Sequence, residues 1–228
     1  MNFVILSILL IIILLNQLSL YLIFYKRKNK YKLPPLQVEY ILNLSINLVV
    51  LITLVIKYNE YGLISLSVAT LIFSLLNYLT IEDLFHKEIS FYIVIFINII
   101  LFLTRFISLI PFYSNYSNSN FIIAGFFCAS LTYILFKITK RHGIGEGDIY
   151  LAFFVGILFG LSKYLVLFFY IMLISASLIG LAYSLKKKQF RNLTIPLIPF
   201  ITFSIYITIF FSEQILNLIE KIFMYFLL

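Results

Sequence analysis

Long apolar runs, each closed by a short polar or basic segment, organise this chain from end to end. A bilayer hydrocarbon core about 30 Å thick takes around 20 apolar residues per helix. Runs near that length lie at 2–25, 38–56, 62–81, 91–110, 121–137, 149–162, 164–184 and 194–211. Apolar and polar residues do not alternate along them, so the pattern predicts helices and not the strands of an outer-membrane barrel. The expected fold is an all-α, polytopic membrane helical bundle of about eight transmembrane helices, forming one domain over 1–228. After the last run, the polar residues of SEQILNLIEKIFMYFLL fall at 213, 214, 217, 220 and 221. That spacing is close to the helical period and predicts an amphipathic helix over 212–228 lying in the membrane interface.

Composition strengthens this picture. The chain has 228 residues, 63% of them hydrophobic and only 11% charged, with a mean hydropathy of +1.08. An aqueous globular fold cannot hide so much apolar surface. The first run lacks a basic start and a small-residue cleavage site, so it is expected to stay as a helix with its N-terminus outside. That orientation puts the loops at 26–37, 82–90, 138–148 and 185–193 in the cytoplasm. With Lys137 at their edge, they hold 13 of the 17 Lys and Arg residues, the bias that the positive-inside rule describes. The net charge of +8 therefore calls for no nucleic acid. Anionic membrane lipid is the natural partner of KRKNKYK and KKKQFR.

Candidate chemistry is sparse. Cys128 is the single cysteine and His86 and His142 are the two histidines, so neither a disulfide nor a metal site is expected. Asp83 and Asp148 are the two aspartates of the whole chain. Two predicted spans separate them, which returns the chain to the face it left and puts both acids at the cytoplasmic end. The sixth run has 14 residues, roughly 21 Å of helix, so Asp148 is expected below the membrane surface, with the glycines of GIGEGD dipping in to meet it. Intramembrane acids are costly and default to function. Two close carboxyls share a proton, giving a general base that activates water and a general acid that polarises a carbonyl. Gly145 and Gly147 are expected to take left-handed angles and to let a substrate strand approach. The plainer alternatives are that Asp148 caps the following helix and that Asp83 pairs with Lys87. A rival class is an ion-coupled transporter, although the acids lie at one end and the halves show no repeat. A structural subunit of a secretion or pilus machine would leave the paired acids without a purpose.

Four motifs carry a family resemblance. Gly145-Glu-Gly-Asp148 resembles the GxGD motif, and Asp83-LFHKE-Ile89-Ser90 is similar to the aspartate, five residues, then Ile-Pro pattern of type IV prepilin peptidases. PLQVEY resembles the Pro-x-x-x-Glu that opens their next span, and IPLIPF at 195–200 their late Ile-Pro-x-x-Pro-Phe. The resemblance covers about 35–205 and implies a GxGD aspartic protease of the bacterial inner membrane. Asp83 and Asp148 would be its catalytic pair, and its substrates prepilin-like precursors with a basic leader and a hydrophobic stem. Ser90, Tyr150 and Ile198 stand where that pattern commonly has proline, lysine and glycine. The 12-residue loop 26–37 has no cysteine. The tetrathiolate zinc of the bifunctional members is therefore excluded, N-methyltransferase activity and S-adenosylmethionine use lose their support, and no cofactor is expected. Glu82, Glu88 and Glu146 cluster beside the two aspartates and are expected to contact the basic leader.

Other features suggest packing. Ala152, Gly156 and Gly160 form a small-residue stripe for close helix approach. Asn43 and Asn47 share a face and are expected to bond across helices, and Pro196 and Pro199 to bend or start the last span.

Overall fold

The computed structural model describes residues 11, 36–57, 62–87, 89–107, 120–139, 145–187 and 196–227. The run at 2–25 and most of the basic loops lie outside this set. Among the described residues there are seven helices and no strand: α1 Leu36–Lys57, α2 Leu63–His86, α3 Phe91–Phe106, α4 Asn120–Ile138, α5 Glu146–Phe159, α6 Lys163–Lys187 and α7 Ile198–Leu227. Four of them, α2, α4, α6 and α7, are long and apolar enough to cross a membrane, while α1 and α3 contribute shorter apolar stretches. The protein is thus helical and membrane-embedded. Eight crossings are not what these helices add up to by length, and α5 alone, at 14 residues, reaches roughly 21 Å.

The chain forms two compact units, Met1–Asn118 and Ser119–Leu228. In the first, α2 packs against both α1 and α3, and nearly every residue from Ile72 to Asp83 is buried. The face of α1 turned inward begins polar, with Glu39, Asn43 and Asn47 all buried, and becomes apolar at Val50, Leu51 and Leu54. Its outward face carries Ile41, Val49, Ile52 and Ile56, the last 75% exposed. Apolar outside and polar inside is the arrangement of a helix solvated by lipid, where interhelical hydrogen bonds act as glue. Asn47 Nδ2 donates to Asn43 Oδ1 at 3.1 Å and Asn77 Nδ2 donates to Asn47 Oδ1 at 2.7 Å, so the expected cross-helix bonding joins α1 to α2.

Helix ends depart from the hydropathy boundaries. The apolar run ends near residue 81, yet α2 continues to His86 because TIEDLFH contains no Gly or Pro to stop it. It terminates at Lys87, which adopts a left-handed conformation, φ 53° and ψ 26°, and donates its N–H to the Asp83 carbonyl at 3.0 Å. A non-glycine residue there carries a steric cost. Lys87→Gly is accordingly expected to stabilise the protein by about 1 kcal/mol, seen as a higher midpoint in thermal unfolding in detergent.

In the second unit α4 packs closely on α5, α5 on α6 and α6 on α7. Helix α5 begins three residues earlier than the apolar run and ends at Gly160, whose φ of 62° and ψ of −174° suit glycine alone. Of the predicted small-residue stripe, Gly156 makes the close approach to α4, whereas Gly160 is the stop. Pro196 precedes α7 and Pro199 sits in its first turn, where a missing N–H costs nothing, so the prolines start the helix. The segment expected as a separate interfacial helix over 212–228 is instead continuous with α7, which runs for 30 residues. At roughly 45 Å it exceeds the hydrocarbon thickness. Its exposed polar residues Glu213, Gln214, Asn217, Glu220 and Lys221 follow the helix period without interrupting it.

Candidate active site

Asp83 lies in the last turn of α2, not in the loop beyond it, and is 7% exposed. Its neighbour Glu82 is wholly buried. The Glu82 carboxylate accepts the Ser90 backbone N–H on Oε2 at 2.8 Å, the Ser90 hydroxyl on Oε1 at 2.7 Å, and the Tyr78 hydroxyl on Oε1 at 3.4 Å. Burial removes Glu82 from the surface where a leader peptide would be met, and its carboxylate is hydrogen-bonded inside the protein. Ser90 is the N-cap of α3, yet its side chain makes no cap hydrogen bond; its hydroxyl is directed to Glu82 instead. One turn beyond Asp83, His86 Nε2 stands 3.6 Å from Glu39 Oε2 on α1. The end of α2 is therefore hydrogen-bonded to the start of α3 through Glu82 and lies against α1 at His86.

Asp148 belongs to the second unit, at the third position of α5, and is also 7% exposed. Its Oδ2 accepts the Gly145 N–H at 2.8 Å, and its own N–H donates to the Gly145 carbonyl at 3.2 Å. This is one half of a capping box, with the acid reaching back from inside the helix and a glycine in the N-cap place. The N-cap position considered for Asp148 belongs to Gly145. Gly145 is extended, with φ −89°, and Gly147 is in the first turn of α5; among the described glycines only Gly160 has a positive φ. The left-handed angles expected of Gly145 and Gly147 are thus absent, since the helix begins early enough to take up the motif.

Asp148 also lines a cavity of about 510 Å³ within the second unit. Its walls come from α4 through α7, including Leu131, Ala152, Phe168, Met172 and Ile201, and Asp148 is the one charged residue among them. A buried acid at the rim of an apolar cavity can meet a largely apolar ligand at a single polar point. Glu146 is exposed at the start of α5, whereas Glu88 and His142 lie outside the described residues. Sequence reasoning noted Ser90 only as a departure from a pattern. The signal that was available is a Ser immediately before an apolar helical run, the usual mark of a helix start. Its partnership with Glu82 had no such mark.

Residues 70–185 match the model of the type IV leader peptidase family, just over half of the chain and a stretch that contains both aspartates. Searches of curated proteins and of solved structures find no match.

Proposed function

This chain belongs to the type IV leader peptidase family, and from that premise we propose that it is an aspartic endopeptidase cutting basic leaders from prepilin-like precursors at the cytoplasmic face of the bacterial inner membrane. The observation that carries the reading is that the chain's two aspartates both fall inside the matched region and are both buried at helix ends. Buried acids in a membrane protein are expensive and mark candidate functional positions. In the proposed reaction the ionised member of the Asp83 and Asp148 pair takes a proton from water, whose oxygen attacks the scissile carbonyl. The protonated member donates to the carbonyl oxygen, and collapse of the tetrahedral intermediate returns a proton to the leaving amine. Two carboxyls and a water suffice, with neither metal nor cofactor. The apolar cavity beside Asp148 would receive the uncharged side of the cleavage point. The family is one of peptidases, and nothing observed favours the ion-coupled carrier.

The test is cleavage of a leader-bearing precursor co-expressed with the wild type, Asp83→Asn or Asp148→Asn. Retained cleavage in either variant would exclude this mechanism. Leader recognition is assigned to Glu88 and to the exposed Glu146, since opposite charges steer encounter and register. Reversing both to Lys is expected to lower kcat/KM severalfold for a basic leader, more than for a neutral one, and raising salt should narrow the gap. Equal losses for the two leaders would discard the steering role.

A further inference from the structure

The most unusual acid in this protein is one that the proposed chemistry does not use. Glu82 is 0% exposed, adjacent in sequence to Asp83, and has its carboxylate turned to donors from Tyr78 and Ser90. A buried carboxylate persists only where hydrogen bonds replace its lost water. Here two of the donors come from one residue, Ser90, which begins the next helix. The same Ser90 carbonyl accepts the N–H groups of Ile93 and Val94 at 3.0 and 3.2 Å, so Ser90 is built into α3. Glu82 thereby clamps the last turn of α2 to the first turn of α3 across the short segment 87–90. Asp83 sits in that last turn, and its carbonyl also holds the left-handed Lys87. Helix termini are where local opening is easiest. An acid placed there needs something to hold it.

We propose that Glu82 is a positioning residue for Asp83, acting through Ser90: its carboxylate locks the junction of α2 and α3 and so keeps the Asp83 carboxyl in register. The inference rests on the catalytic reading of Asp83 given above. It makes Ser90 a functional partner and not a neutral replacement. The backbone of Ser90, φ −68° and ψ 98°, is already one that proline can adopt. Proline at this position would therefore fit the turn while deleting both the N–H and the hydroxyl that Glu82 accepts.

That property defines the experiment. Ser90→Pro and Glu82→Leu are each expected to lower kcat for precursor cleavage about tenfold or more, with KM little changed, because misplacing a reacting group by about 1 Å can cost that much or more. The double variant Glu82→Leu/Ser90→Pro is expected to be no slower than either single one, because each change alone already breaks the tether, the mark of a coupled pair. Ser90→Ala, which keeps the N–H, should fall between wild type and Ser90→Pro. A second arm reads position directly and needs no turnover: in an Asp83→Cys, Cys128→Ala background, adding Glu82→Leu should raise the alkylation rate at residue 83 about tenfold through local opening, and adding Ser90→Pro as well should raise it no further. Additive losses in cleavage, or an alkylation rate indifferent to Glu82→Leu, would overturn the tether. Cleavage that survives Asp83→Asn would instead overturn the catalytic reading beneath it, an outcome that the alkylation arm keeps distinct.

Discussion

Asp83→Asn and Asp148→Asn are each expected to abolish leader cleavage, lowering it by at least about 10³-fold, within the range that general acid and base groups supply. The substitution is well suited to this protein because it separates chemistry from folding. At position 148 an asparagine Oδ1 can still accept the Gly145 N–H now bonded to Asp148 Oδ2, so the start of α5 is kept while the titrating group is lost. At position 83 the helix cap uses the backbone carbonyl, which the change leaves alone. Both variants therefore keep these helix-end bonds, and their thermal unfolding midpoints in detergent, measured beside cleavage, check that the fold is retained. The double variant should be no slower than either single one, because two carboxyls sharing a task fail together. Independent, multiplying losses would mean that the two acids do not act as a unit.

Gly156→Ala is expected to carry a large structural penalty in the second unit. A Cβ at position 156 would meet the backbone carbonyl of Ala124 and come within 2.6 Å of the Gly125 Cα. Backbone cannot swing aside as a side chain can, so α4 and α5 must separate. Overpacking of this kind costs about 1–3 kcal/mol and sometimes more. The same change at Gly125 is expected to be milder, since its new Cβ would press at 3.0 Å on the ring of Phe153, a side chain that can adjust at the expense of its edge contact with Phe126. Thermal unfolding of the two variants in detergent checks the order. Because α4 and α5 both line the cavity that Asp148 borders, Gly156→Ala should also depress cleavage, and an unaltered midpoint would show that the close approach is not needed.

The helices, and the fact that lipid solvates them, were legible from the sequence. A long apolar run needs no partner to declare itself, because the bilayer alone decides that backbone groups must be satisfied within the segment. Boundaries were less legible. Hydropathy drops at residue 81, but α2 ends at His86, where Lys87 takes the left-handed angle that closes it. The polar residues after 211 looked like a break, yet α7 passes through them, since Glu, Gln and Lys are good helix formers. A span ends where the oil ends, whereas a helix ends where its backbone finds a stop.

The candidate site divides in the same way. Asp83 and Asp148 stood out as candidates by their rarity and by GIGEGD, and the family match covers both. Which neighbouring acid is which did not follow. Glu82 and Glu146 each sit within two residues of an aspartate in the sequence, but one is sealed against Ser90 and Tyr78 and the other faces outward. Likewise Gly156 and Gly160 share a stripe, and only the packing makes one a helix contact and the other a helix stop.

The apolar solvent and the candidate acids were thus written in the sequence itself, since hydropathy and residue type belong to each position singly. Burial of Glu82 against Ser90 and the joining of Asn47 to Asn77 were decided by tertiary structure alone. Each depends on a second residue brought near by the fold, and the energy of a hydrogen bond or a close contact exists only once both partners are in place.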